Sequence, residues 1–201
     1  MANVDRPNGL RPVGTLGAAN WSGKVGTYAV ASDDTTAIFV GDLVKLAGTA
    51  GEAGETVFGM DVEGVPEITQ AAAADKAVGV VVGFSPLQSD LMIKHRQASQ
   101  ARLAYVSNDP DTIYEIGESS DGTALTSATG PGNNANVEVA AGNTVTGQSG
   151  MTLDNTTEAA TAGLNLQILG LVKRPDNAYG VSARWLVKIN DHEFSVGQTA
   201  T

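Results

Sequence analysis

The chain has two imidazoles, His95 and His192. His95 stands in Lys94-His95-Arg96, with Asp90 the nearest acid. His192 stands in Asp191-His192-Glu193. Neither falls in an HExxH pattern or any other metal-ligand spacing. Both read as ordinary surface histidines without a catalytic or ligand role. Paired carboxylates occur at Asp33-Asp34 and at Asp109 with Asp111. They sit in turn contexts, where an Asp side chain bonds its own backbone. Such a pair can also begin a calcium site, but no EF-hand spacing follows. Trp21-Ser22-Gly23-Lys24 resembles the end of a phosphate-binding loop, yet Ala18 stands where that loop needs glycine and Val25 where it needs a hydroxyl. Gly130-Pro131-Gly132 has no strand feeding it and no helix after it, so it reads as a turn rather than a dinucleotide loop. No Gly-x-Ser-x-Gly elbow is present. With no cysteine there is no disulfide and no thiolate zinc site. These residues predict no enzyme, no cofactor and no metal centre.

Charge narrows the partners. The net charge is −10, which argues against general nucleic-acid binding, because that relies on Lys and Arg meeting phosphates. The distribution is uneven. Through Ser32 the chain carries Arg6, Arg11 and Lys24 against Asp5 alone, and the other 9 basic and 21 acidic groups follow. Between Leu103 and Val172 there is no Lys or Arg, while eight Asp and Glu residues occur. That pattern describes an acidic body behind a mildly basic leading segment. No stretch approaches the roughly 20 apolar residues that cross a bilayer, and the start MANVDRPNGLRPVG lacks the apolar core of a signal peptide.

The elements that would carry these residues are short. There are 24 glycines, few aromatics, and apolar-polar alternation bounded by Gly, Asn, Asp and Pro, which together predict an all-β sandwich or barrel. Strands are expected at 26–31, 36–40, 57–60, 77–84, 102–107, 112–117, 164–171 and 184–190. Gly41-Asp42 between TAIFV and LVKL predicts a two-residue hairpin. Residues 71–74 suggest one helical turn. Residues 89–100 predict a helix capped by Ser89, with Leu91, Met92 and His95 on one side. Leu164, Leu166 and Ile168 alternate with Asn165 and Gln167, and Trp185, Val187 and Ile189 alternate with Arg184, Leu186, Lys188 and Asn190, so each set should line one face of a strand. Residues 119–162, rich in Gly, Ser, Thr and Asn, read as a loop-rich β subdomain or a set of long loops within a β body spanning 25–201.

Residues 1–24 read as an extended arm, since Pro7, Pro12 and several glycines break any helix. Leu10, Val13, Leu16 and Trp21 punctuate it, and apolar groups on such a segment must dock on the chain's own body or on a neighbour. They are the expected partner anchors, with Arg6 and Arg11 steering toward carboxylates.

The segments RPNGLRPVG, FVGDLVKLAG, VGVVVGF, VSNDPDTIYEIGE, SGMTLD, LQILGLVKRPDNAYG and VSARWLVKIND, in that order, resemble the capsid cement (decoration) proteins of tailed bacteriophages. The resemblance runs from about Asn8 to His192 and is loose around 124–150. It implies a β-barrel or tulip-like body that trimerises and binds the outer surface of an icosahedral capsid, with an extended arm reaching across subunits. The partners implied are the major capsid protein and other copies of the chain, with no nucleic acid and no membrane. The place implied is the virion, after assembly in the host cytoplasm. A head-fibre, tail or host-surface-binding protein is the alternative. A sugar-binding part would cluster aromatics on loops, whereas most of the ten aromatics here lie in strand-like runs.

Overall fold

A computed structural model describes residues 3–17 and 19–195. The strands are β1 (Arg11–Thr15), β2 (Gly26–Val30), β3 (Leu43–Ala50), β4 (Thr56–Val57), β5 (Met60–Asp61), β6 (Pro66–Gln70), β7 (Gly79–Phe84), β8 (Arg102–Ser107), β9 (Thr112–Gly117), β10 (Asn134–Ala135), β11 (Val137–Glu138), β12 (Thr152–Leu153), β13 (Leu166–Leu171) and β14 (Arg184–Ile189). There is no helix among the described residues. The protein is all-β. Five strands close a barrel in the order β2-β6-β3-β7-β8, and five more form an antiparallel sheet in the order β1-β9-β14-β13-β10. The barrel closes through the single parallel contact of Ala29 with Glu67.

Side-chain alternation sorts the core into layers. Tyr28, Val44, Val81, Ala104 and Val106 belong to one buried cluster of the barrel strands. Val80, one residue from Val81, joins a different one. That larger cluster contains Leu43, Ala77 and Val80 together with Tyr114, Ile116, Leu166, Trp185 and Val187 from the sheet. Barrel and sheet therefore share one core. Leu125, Val137, Met151 and Leu153 belong to it too, so residues 119–162 pack into the main body instead of forming a subdomain. The expected alternations in β13 and β14 hold. Leu166, Ile168, Trp185 and Val187 are fully buried.

Four expectations are corrected. Residues 89–100 are turns. Asp90 accepts the Met92 amide at 2.9 Å, and Leu91 and Met92 are exposed. The cause is the capture of this segment by two buried arginines. Arg102 donates to the carbonyls of Ser85 (2.7 Å), His95 and Ile93 (3.1 Å). Arg96 donates to those of Gln100 (2.8 Å), Thr36 (2.6 Å) and Ala31. Residues 36–40 form isolated bridges, Ile38 to Arg96 and Val40 to Gln148, and no regular strand. Gly41-Asp42 consequently joins no hairpin. Asp42 turns back to accept the Phe39 amide at 2.8 Å, and β3 pairs with β6 and β7 instead. The helical turn expected at 71–74 is an ordinary turn.

The leading segment lies on the body along much of its length. Leu10 is buried in the shared core, its amide bonded to the Gly41 carbonyl at 2.9 Å. The chain crosses the barrel there with no space for a side chain. A Cβ on Gly9, whose φ is +66°, would stand 2.3 Å from the Gly41 oxygen. β1 then pairs with β9, placing Arg11 opposite Glu115. Met1, Ala2 and Ala18 of the expected arm lie outside the described residues.

Arg96→Met should unfold at lower denaturant, by about 3 kcal/mol, because three carbonyls lose a charged donor. Arg96→Lys should recover little, since an ammonium cannot span the same three acceptors. Equilibrium urea unfolding followed by tryptophan fluorescence measures both. Wild-type stability in the Met variant would contradict this role for Arg96.

Candidate docking face

The outward side of the five-stranded sheet carries the charged positions that alternate with its core residues. Arg184 precedes the buried Trp185 on β14, and Arg11 and Glu115 are register partners on β1 and β9. Paired residues share a face, so Arg11 and Glu115 point to the same side. Two irregular segments wall this floor. The first is the leading segment from Asn3 to Asn8. The second is the loop that leaves β13 at Leu171 and returns at Arg184.

Asn3 staples the two walls. Its side-chain amide donates to the carbonyls of Ala178 (2.8 Å) and Val181 (3.0 Å), and its oxygen accepts the Ala178 amide at 3.0 Å. Arg184 ties floor to wall, donating to Asn8 Oδ1 at 2.7 Å and to the Arg6 carbonyl. Burial lowers the Arg184 pKa; Glu115 pulls it back up, while Arg174 presses it down. Arg174 reaches from the loop and grips Glu115 with two bonds of 3.0 and 3.2 Å. It also lies 3.6 Å from Asp176.

The result is a cleft of about 470 Å³ whose lining includes Arg6, Arg11, Arg174 and Arg184. The chain has six arginines. Arg96 and Arg102 are buried and hold backbone carbonyls, and the other four meet here. Arg174 takes Glu115 away from Arg11, its register partner. Among the described residues the guanidinium groups of Arg6 and Arg11 therefore have no ion pair. Val4 (58% exposed) lines the cleft and Val181 (52%) stands beside it.

The other expected anchors lie apart. Leu10 is in the chain's own core and is corrected as a partner contact, since its withdrawal would open that core. Val13 is half-buried, and its carbonyl receives the Trp21 amide. Leu16 is exposed, with its amide on the Asp111 carbonyl at 2.9 Å. Trp21 lies in a second cleft of about 470 Å³ with Pro12, Val82 and Gln148, and its indole N–H is shielded without a partner. The sequence pointed to Arg6 and Arg11 and missed Arg174 and Arg184. The signal available for those two was the only basic group between Leu103 and Trp185, KRPDN followed by SAR, set in an acidic half-chain.

Elsewhere, the histidines and the turn carboxylates make structural contacts. Both histidines are buried, which corrects their reading as surface residues. His95 stacks on Phe39 with ring centroids 4.7 Å apart. His192 accepts the Phe194 amide on Nδ1 at 3.0 Å and bridges Ala77 in the core. Burial lowers its pKa to about 4. Asp34 and Asp109 accept the amides of Thr36 (2.7 Å) and Asp111 (3.0 Å), as expected of turn carboxylates. A groove of about 750 Å³ has Asp33, Asp34, Glu52, Glu55 and Glu67 in its lining. Among the described residues no group of three or more His, Cys, Asp or Glu is placed to hold a metal ion. No described helix is long and apolar enough to cross a membrane.

No family model, no curated protein and no solved structure matches the chain.

The buried His192 sets a pH dependence. Its folded pKa lies below the ordinary value of 6.5, so between those pH values the unfolded chain holds more protons. The stability from burying neutral His192 is complete above about pH 6.5 and is lost as pH falls toward 4, at no more than about 1.4 kcal/mol per pH unit. His192→Asn keeps an acceptor for the Phe194 amide without titrating. Stability measured against pH should fall more steeply for the wild type than for this variant across that window. Parallel curves would exclude the effect.

Proposed function

We propose that this chain is a structural virion protein that binds the outside of an icosahedral phage capsid as a homotrimer and stabilises it. The ordered segments quoted above, from RPNGLRPVG to VSARWLVKIND, supply the prior. The observation that carries the reading is the docking face. A chain of net charge −10 gathers every arginine that is not fully buried on one side of one sheet, two of them unpaired, beside exposed Val4 and Val181. A solvated acidic body with one basic, partly apolar face suits a protein that must stay soluble alone and grip a surface once it arrives.

The all-β body fits the same role. Barrel and sheet are joined through one shared cluster, which makes the body one unit for covering a shell. A stable contact needs on the order of 1,600 Å² of buried surface. A trimer reaches an effective grip with weaker individual contacts, because the second and third sites bind at high local concentration.

Deletion of residues 1–7 tests the reading while leaving Leu10 and β1 in place. Light scattering should give three copies of the 20.5 kDa chain for both full-length and shortened protein. Shell occupancy, read by electron microscopy after mixing with undecorated capsids, should drop by about tenfold or more for the shortened form. Full occupancy without residues 1–7, or purified particles that contain none of this chain, would overturn the proposal.

A further inference from the structure

The geometry points to an acidic polypeptide segment as the occupant of the arginine cleft: one glutamate or aspartate side chain against Arg6 and Arg11, with an apolar neighbour on Val4 and Val181. This inference rests on the reading of the chain as a protein-docking module and names the chemistry that the docking face accepts.

The argument begins with what is already satisfied. Arg184 is spent on Asn8 and the Arg6 carbonyl, and Arg174 on Glu115. Those bonds shape the cleft and hold the leading segment against the loop. Arg6 and Arg11 are exposed, line the same cleft, and make no side-chain bond among the described residues. A guanidinium presents a planar fork of donors that matches a carboxylate with two parallel bonds. Two such forks lining one cleft, neither engaged by the protein itself, can meet a carboxylate there.

Charge selects among anions. Four guanidinium groups line the cleft with two carboxylates, Glu115 and Asp176, and Asp5 acts on Arg184 from beside it, leaving an excess of about one to two positive charges inside an acidic protein. One or two carboxylates balance that excess. A nucleic acid brings a phosphate charge every ~1.7 Å of duplex, and beyond the cleft those charges would meet Asp and Glu. The valines add a second criterion. Val4 and Val181 are exposed on the walls, held in place by Asn3, and offer an apolar surface that a free inorganic anion cannot use. A carboxylate carried on a polypeptide uses both.

The test is an NMR titration of the full chain, following the arginine Nε–Hε signals. Three probes are used: N-acetyl-Val-Glu-Val-amide, the same peptide with Gln for Glu, and inorganic phosphate. The Glu peptide should shift the Arg6 and Arg11 signals, with an affinity about tenfold or more above that of the Gln peptide. Arg6→Gln and Arg11→Gln together should abolish the preference with the fold intact, since neither side chain bonds the body. Equal binding of the two peptides would overturn the inference. So would phosphate shifting the arginine signals as strongly as the Glu peptide, or a response confined to residues outside the cleft. The same double variant, mixed with undecorated shells, separates this failure from that of the virion reading. If the Glu peptide binds the cleft but no particle carries the chain, the cleft chemistry stands and the virion role falls. If the shells are decorated while the cleft ignores the Glu peptide, the reverse holds.

Discussion

In a fold without helices, every buried peptide group must find its partner in a ladder, a turn or a side chain. This constraint shapes the molecule. Long segments with little or no regular strand, at 31–42, 85–101 and 118–165, run through or against the core, and buried polar side chains serve them. Asn165 is the clearest case. Its oxygen accepts the amides of Ala74 (3.0 Å) and Val137 (3.2 Å), and its nitrogen donates to the carbonyls of Asp75 (2.6 Å) and Ala72 (3.3 Å). All four amide positions are used, and they join the barrel's 71–75 turn to the sheet. Glu118 does the same at the far end, accepting from Trp185 Nε1 (2.8 Å), the Leu125 amide (2.8 Å) and Asn155 Nδ2 (3.1 Å). A half-satisfied group of this kind is costly in a low-dielectric interior, so these residues specify the path of the loops as strictly as a ladder specifies a strand.

The docking face inherits its position from the same principle. Leu10 fills a site in the shared core, and the Gly9–Gly41 crossing permits the close approach that puts it there. Once Leu10 is fixed, β1 must add to the sheet edge at β9, and Arg11 must stand on the outer side. Upstream, Asn8 and the Arg6 carbonyl meet Arg184. The leading segment is therefore part of the fold from Asn8 onward, and its chemical equipment is displayed from a rigid floor. A rigid display suits recognition, because the ordering cost has been met in folding and is not charged against the contact.

Much of the fold was legible because alternation and turn chemistry are local. The bounds of β8 and β9 fall where the sequence put them, and Trp185, Val187 and Ile189 face inward as their spacing demands. What failed was decided at a distance. Residues 89–100 carry helix-compatible residues, but Arg96 ties the segment to the distant Thr36 and Ala31 carbonyls, and Arg102 takes the Ile93 and His95 carbonyls that a helix would use. The Gly41-Asp42 hairpin was a sound local reading, but Asp42 is worth more folded back onto the Phe39 amide and Gln70 (2.9 Å). The arginine cleft was half legible. Arg6 and Arg11 stood out in the basic leading segment, whereas Arg174 and Arg184 are brought beside them only by β14 joining β9 and by the loop folding back over the sheet. No local pattern records that convergence.

The way Glu115 is shared explains why the cleft is left open. On the sheet, Glu115 stands opposite Arg11 and could have neutralised it, as cross-strand pairs of opposite charge commonly do. The loop brings Arg174 instead, and two parallel bonds outcompete a single cross-strand contact. The exchange spends one carboxylate on closing the wall and leaves Arg11 facing solvent near three other cations. Burial is the main reason the Arg184 pKa is lowered; Arg174 and Arg6 add repulsion to it, and Glu115 and Asp5 oppose them. At physiological salt the repulsion is softened over about 8 Å, so the fold tolerates it. An incoming carboxylate would remove it. The repulsion within the cleft and its attraction for a carboxylate are thus the same electrostatic term.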